Sequence, residues 1–231
     1  MTDPIGDLLT ELADAMQGVT TPFTRSDEAD RIYEGYLFAQ VIATAAECGA
    51  RVTYEDCYEK EVSELVFRGA PGFIHARRRP FTHAVLYFGD ARPIEVHLRV
   101  RVQVQAKKFD AESDILLVDT KAARVCRDKT QLPKASGCVL TIEGKYYPLG
   151  VPRDEALKYV GVRAYFPRTM ASLFVTNSFS PSANKCLSQT AGHLPFEFGA
   201  MPGTRFQTYV RTYIRDALKK WVAGFDFDHR T

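Results

Sequence analysis

The stretch IEVHLRVRVQVQ at residues 94–105 decides the fold class, because its side chains alternate between apolar and polar from Val96 to Gln105. A period of two residues is typical of a β-strand with one face in the core and one in water. Residues 113–119, SDILLVD, and residues 138–147, CVLTIEGKYY, are also strand-like. The first of these is continuously apolar, as in a strand covered on both faces. The middle of the chain is therefore predicted to form a sheet.

Apolar residues recur at helical spacing on both sides of this middle region. The predicted helices cover residues 4–17, 26–48, 153–160, 180–190 and 206–225. Strands are predicted over residues 51–54, 82–88, 94–104, 113–118, 138–147 and 172–176, and residues 193–203 are predicted to form a loop. This order of elements predicts an α/β fold, a three-layer α/β/α arrangement around a central mixed sheet.

A length of 231 residues suffices for one sizeable core and is short for two domains. We therefore predict a single domain over residues 1–231, with residues 1–25 as an N-terminal helical extension. Residues 121–137 are rich in charge and show no clear periodicity. We predict that they form a basic insert loop.

Charge is unevenly distributed along the chain. The net charge of +2 does not by itself indicate a nucleic-acid partner, but basic residues dominate from about residue 68 to residue 168. The basic clusters are Arg77, Arg78 and Arg79, the pair Lys107 and Lys108, and residues 124–134. Such clusters could dock a polyanion, and solvated loops are the alternative interpretation of each.

The five cysteines are odd in number, widely spaced and without a CxxC pair, so a structural zinc site is not expected. This usage is typical of reduced thiols. The chain opens without a basic and apolar signal, and no apolar run approaches about 18 residues. We therefore predict a cytoplasmic protein that does not cross a membrane.

Three residues of the predicted strands point to metal chemistry. Asp114 begins SDILLVD, and Glu143 and Lys145 lie two positions apart in VLTIEGKYY, so they share one face of a strand. Two adjacent strands can bring the carboxylates of Asp114 and Glu143 together as hard ligands for Mg²⁺ or Mn²⁺. A lysine beside such an ion can orient a water or stabilise developing charge.

This pattern resembles the PD-(D/E)xK nuclease superfamily over about residues 33–221. The helix YEGYLFAQVIATAAECGA is similar to the first helix of that family, and Glu34 matches its frequent site-facing glutamate. SDILLVD and LTIEGKYY are similar to the core strands that carry the metal-binding aspartate and the ExK motif. The stretch SLFVTNSFSPSANKCLSQ at residues 172–189 resembles the strand, turn and helix of Mrr-like restriction enzymes.

The resemblance implies a restriction-endonuclease-like fold and Mg²⁺-dependent cleavage of DNA, in preference to RNA, in bacterial restriction or phage defence. It implies that Asp114 and Glu143 hold the metal, that Lys145 assists the attacking water and that Glu34 completes the site. Asn177, Ser178 and Lys185 would contact phosphate. Such a small enzyme is expected to act as a homodimer or with a directing partner protein.

Two features depart from the family pattern. No proline precedes Asp114, and Asp114 and Glu143 are 29 residues apart, which exceeds the usual hairpin. The predicted insert over residues 121–137 accounts for the excess.

Other interpretations remain open. Asp119 and Lys121 form a DxK pair, for which Glu95 would be the upstream carboxylate. Glu95 could also join the Asp114 site as an extra ligand, or it could be an ordinary strand charge, with His97 in a satisfied polar contact nearby. The whole chain could instead be a catalytically silent module that binds nucleic acid or serves as an assembly subunit.

Overall fold

The computed structural model describes residues 3–16, 19–104, 109–167, 170–189 and 194–228. The described residues form a seven-stranded sheet whose strands lie side by side in chain order. The strands are β1 (Arg51–Asp56), β2 (Thr82–Tyr87), β3 (Ile94–Val104), β4 (Phe109–Asp119), β5 (Cys138–Lys145), β6 (Ala171–Thr176) and β7 (Phe196–Phe198). Strands β1 to β5 are antiparallel and β5 to β7 are parallel, so the sheet is mixed as predicted.

Helices cover both faces of the sheet. They are α1 (Pro4–Met16), α2 (Ala29–Glu47), α3 (Thr120–Lys129), α4 (Arg153–Arg163), α5 (Pro181–Ser188) and α6 (Arg205–Asp228), with one 3₁₀ turn at Ala135–Gly137. Helices α1, α2 and α6 share a core with one face, where Leu37 and Ile214 pack with Ile142. The other face packs against α3 through Ala123 and against α4 and α5 through residues such as Tyr159. The predicted α/β class is therefore confirmed, with the sheet between two groups of helices.

Helix α2 is the central helix of the first layer. Thirteen of its 19 residues are buried, since α1, α6 and the sheet surround it. Helix α1 packs on it and buries Leu8 and Leu12 completely, so the N-terminal segment contributes to the main core. Gln17, the last residue of the predicted first helix, lies outside the described residues, as do Lys107 and Lys108.

The prediction of a loop over residues 121–137 is wrong, because this segment contains most of helix α3. Asp119 caps the helix, and its Oδ1 accepts a hydrogen bond from the backbone N–H of Lys121 at 2.9 Å. Ala123 and Cys126 lie on one side of the helix and are buried against the sheet. Lys121, Arg124 and Lys129 are exposed on the outer side, whereas the Arg127 side chain is buried. These four basic residues obscured the narrow apolar stripe in the sequence.

The segment over residues 193–203 was also predicted as a loop, yet it contains β7. Only three residues form this strand, which pairs with β6 at the sheet edge. Three residues are too few to display a period. None of the five cysteines forms a disulfide bond. Among the described residues, no helix combines the length and apolar character needed to cross a membrane.

The β3–β4 hairpin turns over at Arg99, whose φ of +50° lies in the left-handed region that residues other than glycine rarely adopt. Before this point, Val96 and Leu98 pack in the core beside α2. After it, Val100 and Val102 pack in the opposite core, although all four residues have the same parity along the strand. Side chains of the same parity on β3 therefore pack into opposite cores before and after Arg99.

Candidate active site

The candidate site lies where β4 and β5 separate. Their pairing runs up to Ile115 opposite Ile142, and Asp114 is the next residue of β4. The Asp114 side chain is buried, and its Oδ2 accepts a hydrogen bond from the backbone N–H of Gly144 at 2.9 Å. A backbone donor on β5 thereby fixes the carboxylate in the gap between the two strands.

Lys145 joins the two predicted metal ligands. Its Nζ lies 3.2 Å from Asp114 Oδ2 and 2.6 Å from Glu143 Oε1. The ammonium therefore stands between a carboxylate on β4 and a carboxylate on β5. The three residues that the sequence selected are brought together as predicted.

The environment of these three groups alters their protonation. Burial raises the pKa of the Glu143 carboxyl above its ordinary value, and the nearby Asp114 carboxylate acts in the same direction. Burial opposes the charge on Lys145, but Glu143 and Asp114 outweigh it and raise the pKa of the ammonium above its usual range. Lys145 is therefore held as a cation, and Glu143 takes up a proton more readily than an exposed glutamate does.

Glu34 approaches the same site from helix α2. It is buried, and it is close enough to interact electrostatically with Asp114 and Lys145. Both of its oxygens accept hydrogen bonds from Arg99, at 2.5 Å from Nε and at 2.9 Å from the terminal nitrogen. Burial raises the pKa of Glu34, while the bond to Arg99 opposes this shift. The predicted position of Glu34 is reproduced, but an arginine holds its carboxylate.

Sequence reasoning missed Arg99. It occupies a polar position in the alternating pattern of β3, where a solvated side chain is the default expectation. Its role depends on the left-handed turn of the hairpin and on Glu34, which is 65 residues away in the chain. No local pattern marks either feature.

Asp114 and Glu143 could serve as oxygen ligands to a hard divalent cation. Asp114 and Glu143 supply hard oxygen donors, and Lys145 already places a positive charge between those oxygens. Glu143 keeps 28% of its side chain exposed, so water can reach the pair. A cation of higher charge would also offset the repulsion from Asp114, which adds to the effect of burial on the pKa of Glu143.

The predicted phosphate-contacting residues divide into two groups. Asn177 and Ser178 lie beside the site, where the N–H of Asn177 donates to the Lys145 carbonyl at 3.3 Å. Their side chains bond to the backbone of Tyr147, each at 2.7 Å, and hold the loop after β5. Lys185 on α5 forms the second group, because it is exposed and takes no part in these hydrogen bonds with Lys145 and Tyr147.

The three arginines of the 77–79 cluster are also exposed. Among the described residues, the ion pairs and hydrogen bonds of Asp114 and Glu143 involve neither these arginines nor Lys185. The structure therefore does not place Lys185 or the arginines of the 77–79 cluster in contact with the carboxylates of Asp114 and Glu143.

A second buried cluster contains Glu95. His97 Nε2 lies 2.8 Å and His83 Nε2 lies 3.6 Å from Glu95 Oε2, and the three ligand atoms fall within 4.8 Å of one another, so this trio could hold a metal ion. However, Arg127 donates to both oxygens of Glu95, at 2.8 and 2.7 Å. The two imidazole rings are stacked, with an interplanar angle of 17° and centroids 4.6 Å apart.

The alternative placements of the site are not supported by these positions. Glu95 lies opposite Val118 on β4, four residues from Asp114, which corresponds to about 13 Å along a strand. Asp119 is the N-cap of α3, and Lys121 lies in the first turn of that helix. His97 makes the expected polar contact through Nε2, which bonds to Glu95, but its buried Nδ1 has no hydrogen-bond partner among the described residues.

Comparisons with protein-family models, with curated proteins and with solved structures find no significant match to this chain.

Proposed function

We propose that this chain is a Mg²⁺-dependent endonuclease that hydrolyses DNA phosphodiester bonds and has a restriction-endonuclease-like fold. The contacts of Lys145 carry the proposal, because its ammonium bridges a carboxylate on each of two separating strands. Two carboxylates that share one ammonium in a largely buried space, with the pKa values of Glu143 and Lys145 both raised, are unusual for a purely structural ion pair. The order of helix α2, strands β3 to β5, helix α4 and strand β6 also supports it, since it agrees with the resemblance found in the sequence.

Each residue has a distinct part in the proposed reaction. Asp114 and Glu143 would hold the ion, and the Gly144 N–H fixes the orientation of Asp114. A bound Mg²⁺ supplies charge neutralisation at phosphate and a water of lowered pKa. Lys145 would donate a hydrogen bond to the attacking water or to a non-bridging phosphate oxygen, where negative charge increases in the transition state.

DNA is the proposed substrate in preference to RNA, and bacterial restriction or phage defence is the proposed setting. Exposed basic residues at Arg77, Arg78, Arg79 and Lys185 support a polyanionic partner. We also propose that the chain acts as a homodimer or together with a directing protein, because one small domain offers little surface for reading sequence.

A second candidate function is a catalytically silent module that binds nucleic acid or assembles with other proteins. The Glu34–Arg99 pair favours it, because the third carboxylate of the site is occupied by a guanidinium at both oxygens. The intact set of Asp114, Glu143 and Lys145 favours the enzyme.

The test is cleavage of supercoiled plasmid and of linear DNA in Mg²⁺ or Mn²⁺ by the parent, Glu143→Gln and Lys145→Met. We expect metal-dependent cutting by the parent and a loss of about 100-fold or more in each variant. Lys158→Met is the control, since Lys158 forms an exposed ion pair with Glu155 on α4. Equal cutting by all four proteins would contradict the roles proposed for Glu143 and Lys145, and no cutting by any of them would contradict the enzyme proposal.

A further inference from the structure

A groove of about 550 Å³ lies away from the carboxylate site, beside the far end of the β3–β4 hairpin. Its walls come from three parts of the chain: the segment before β2, the hairpin, and the segment after α3. The lining residues include Phe73, His75, Gln103, Phe109, Thr130 and Gln131. His75 Nδ1 lies 3.2 Å from the Gln131 carbonyl and so connects two of the walls.

Three exposed aromatic rings lie in or beside this groove. Phe73 is 40% and Phe109 is 47% exposed, and the neighbouring Tyr165 is 45% exposed. The rings form two pairs: Phe73 stacks on His75 with centroids 5.2 Å apart, and Phe109 contacts Tyr165 at 5.7 Å. A cluster of solvated rings costs hydration free energy unless a partner covers it, so it marks a binding surface.

Basic residues adjoin the groove along the chain. The exposed arginines of the 77–79 cluster begin two residues after His75, and the exposed Asp128 and Lys129 at the end of α3 directly precede Thr130. The acidic lining residue, Asp110, is neutralised by Arg101 at 2.8 Å. An anionic ligand with flat rings therefore matches both the charge and the shape of this surface.

The groove and the carboxylate site share strand β4. Phe109 lies five residues from Asp114, a separation of at most about 17 Å along a strand. One strand of stacked nucleic acid advances about 3.4 Å per nucleotide, so a segment of about five nucleotides could span the two places. The distance suits one continuous ligand.

We infer that this groove binds unpaired bases of single-stranded DNA next to the proposed cleavage site. The inference rests on the proposed function for its substrate. The rings of Phe73, Phe109 and Tyr165 stack on the bases, which requires no particular sequence because every base has an aromatic face. The amides of Gln103 and Gln131 offer hydrogen bonds to base edges, and the flanking cations contact the phosphates.

The experiment measures binding by fluorescence anisotropy with a fluorescein-labelled 20-nucleotide single strand and the matching duplex. EDTA is present, so that cleavage cannot occur. The proteins are the parent, Phe109→Ala and Tyr165→Ala, with Tyr209→Ala as the matched control. Tyr209 is 49% exposed but lies on α6, in the opposite layer. Circular dichroism confirms that each variant is folded.

We expect the parent to bind the single strand more tightly than the duplex. Phe109→Ala and Tyr165→Ala should weaken single-strand binding by about 5- to 100-fold, as stacking on one aromatic side chain predicts, and Tyr209→Ala should leave it unchanged. The inference is overturned if both groove variants bind the single strand as tightly as the Tyr209 control, or if the parent prefers the duplex.

Failure of this inference can be separated from failure of the proposed function. If the parent cuts DNA and the groove variants bind and cut as it does, the nuclease stands and the groove proposal is lost. If single-strand binding depends on Phe109 but no metal supports cutting, the groove proposal stands and the nuclease is lost. A parent that binds neither DNA contradicts both.

Discussion

At the scale of single residues, protonation follows from which charges share a buried space. Lys145 has two carboxylate neighbours and is held as a cation. His83 and His97 share their space with Arg127, and burial together with nearby cations holds the pKa of each imidazole well below its ordinary value. The same fold therefore favours a charged lysine in one cluster and neutral histidines in the other.

The histidine cluster predicts a pH dependence of stability. Below about pH 6.5 the unfolded chain takes up a proton on each histidine that the folded chain does not. The free energy of unfolding should therefore fall as pH falls below that value, by up to about 2.7 kcal/mol per pH unit for the two residues together. Urea unfolding at pH 7.5, 6.5 and 5.5 measures this slope.

The control for that slope is the double variant His83→Gln with His97→Gln. Glutamine does not titrate, so the variant should lose less stability than the parent between pH 6.5 and 5.5. Equal slopes would show that these imidazoles are not held neutral in the folded protein.

The Glu34–Arg99 pair links the residue scale to the hairpin. Both side chains are largely buried, with 9% and 12% of their surface exposed. Arg99→Ala would leave a buried carboxylate without its partner, and we expect a loss of about 3 kcal/mol in the free energy of unfolding. Thermal or urea unfolding at pH 8 measures this, because Glu34 is charged there.

The matched control is Arg101→Ala, two residues further along β3. Arg101 pairs with Asp110, but 44% of its side chain is exposed, so the loss should stay within about 1 kcal/mol. Similar losses for the two variants would mean that Arg99 does not hold Glu34.

At the scale of elements, helix α3 gives a prediction about both stability and chemistry. Asp119→Ala removes the N-cap acceptor of the Lys121 N–H and should cost about 1 kcal/mol. Asp119→Asn retains an oxygen acceptor and should cost less.

Because Asp119 and Lys121 belong to a helix start, Lys121→Ala should keep the full DNA-cleavage rate of the parent. A loss of cleavage in Lys121→Ala would restore the alternative DxK placement.

Most helices and strands could be predicted because their apolar residues recur with a clear helical or strand period. The alternation in IEVHLRVRVQV gave β3 with its observed bounds, Ile94–Val104. Helix α3 could not be predicted, since only Ala123 and Cys126 are buried among many charged residues and two apolar positions do not establish a helical period. Asp119 is both the last residue of β4 and the N-cap of α3, so the sequence pattern indicated only the end of a strand there.

At the scale of the whole molecule, the site draws on distant parts of the chain. Asp114, Glu143 and Lys145 could be selected from sequence, because Glu-x-Lys spacing on a strand fixes a shared face. The engagement of Glu34 by Arg99 could not be selected, because it depends on how α2 packs against the hairpin after the left-handed turn. The aromatic groove is likewise invisible in the sequence, since its walls come from three separate segments.

The most direct test of the central claim is calorimetric titration of Mn²⁺ into the parent and into Asp114→Asn at pH 8. Mn²⁺ prefers the same oxygen ligands as Mg²⁺. We predict saturable binding by the parent and a large loss of affinity in the variant, because Asp114 supplies one of the two carboxylates beside Lys145. Equal affinity in the two proteins, or no binding by the parent, would contradict a metal site at Asp114 and Glu143 and with it the proposed nuclease.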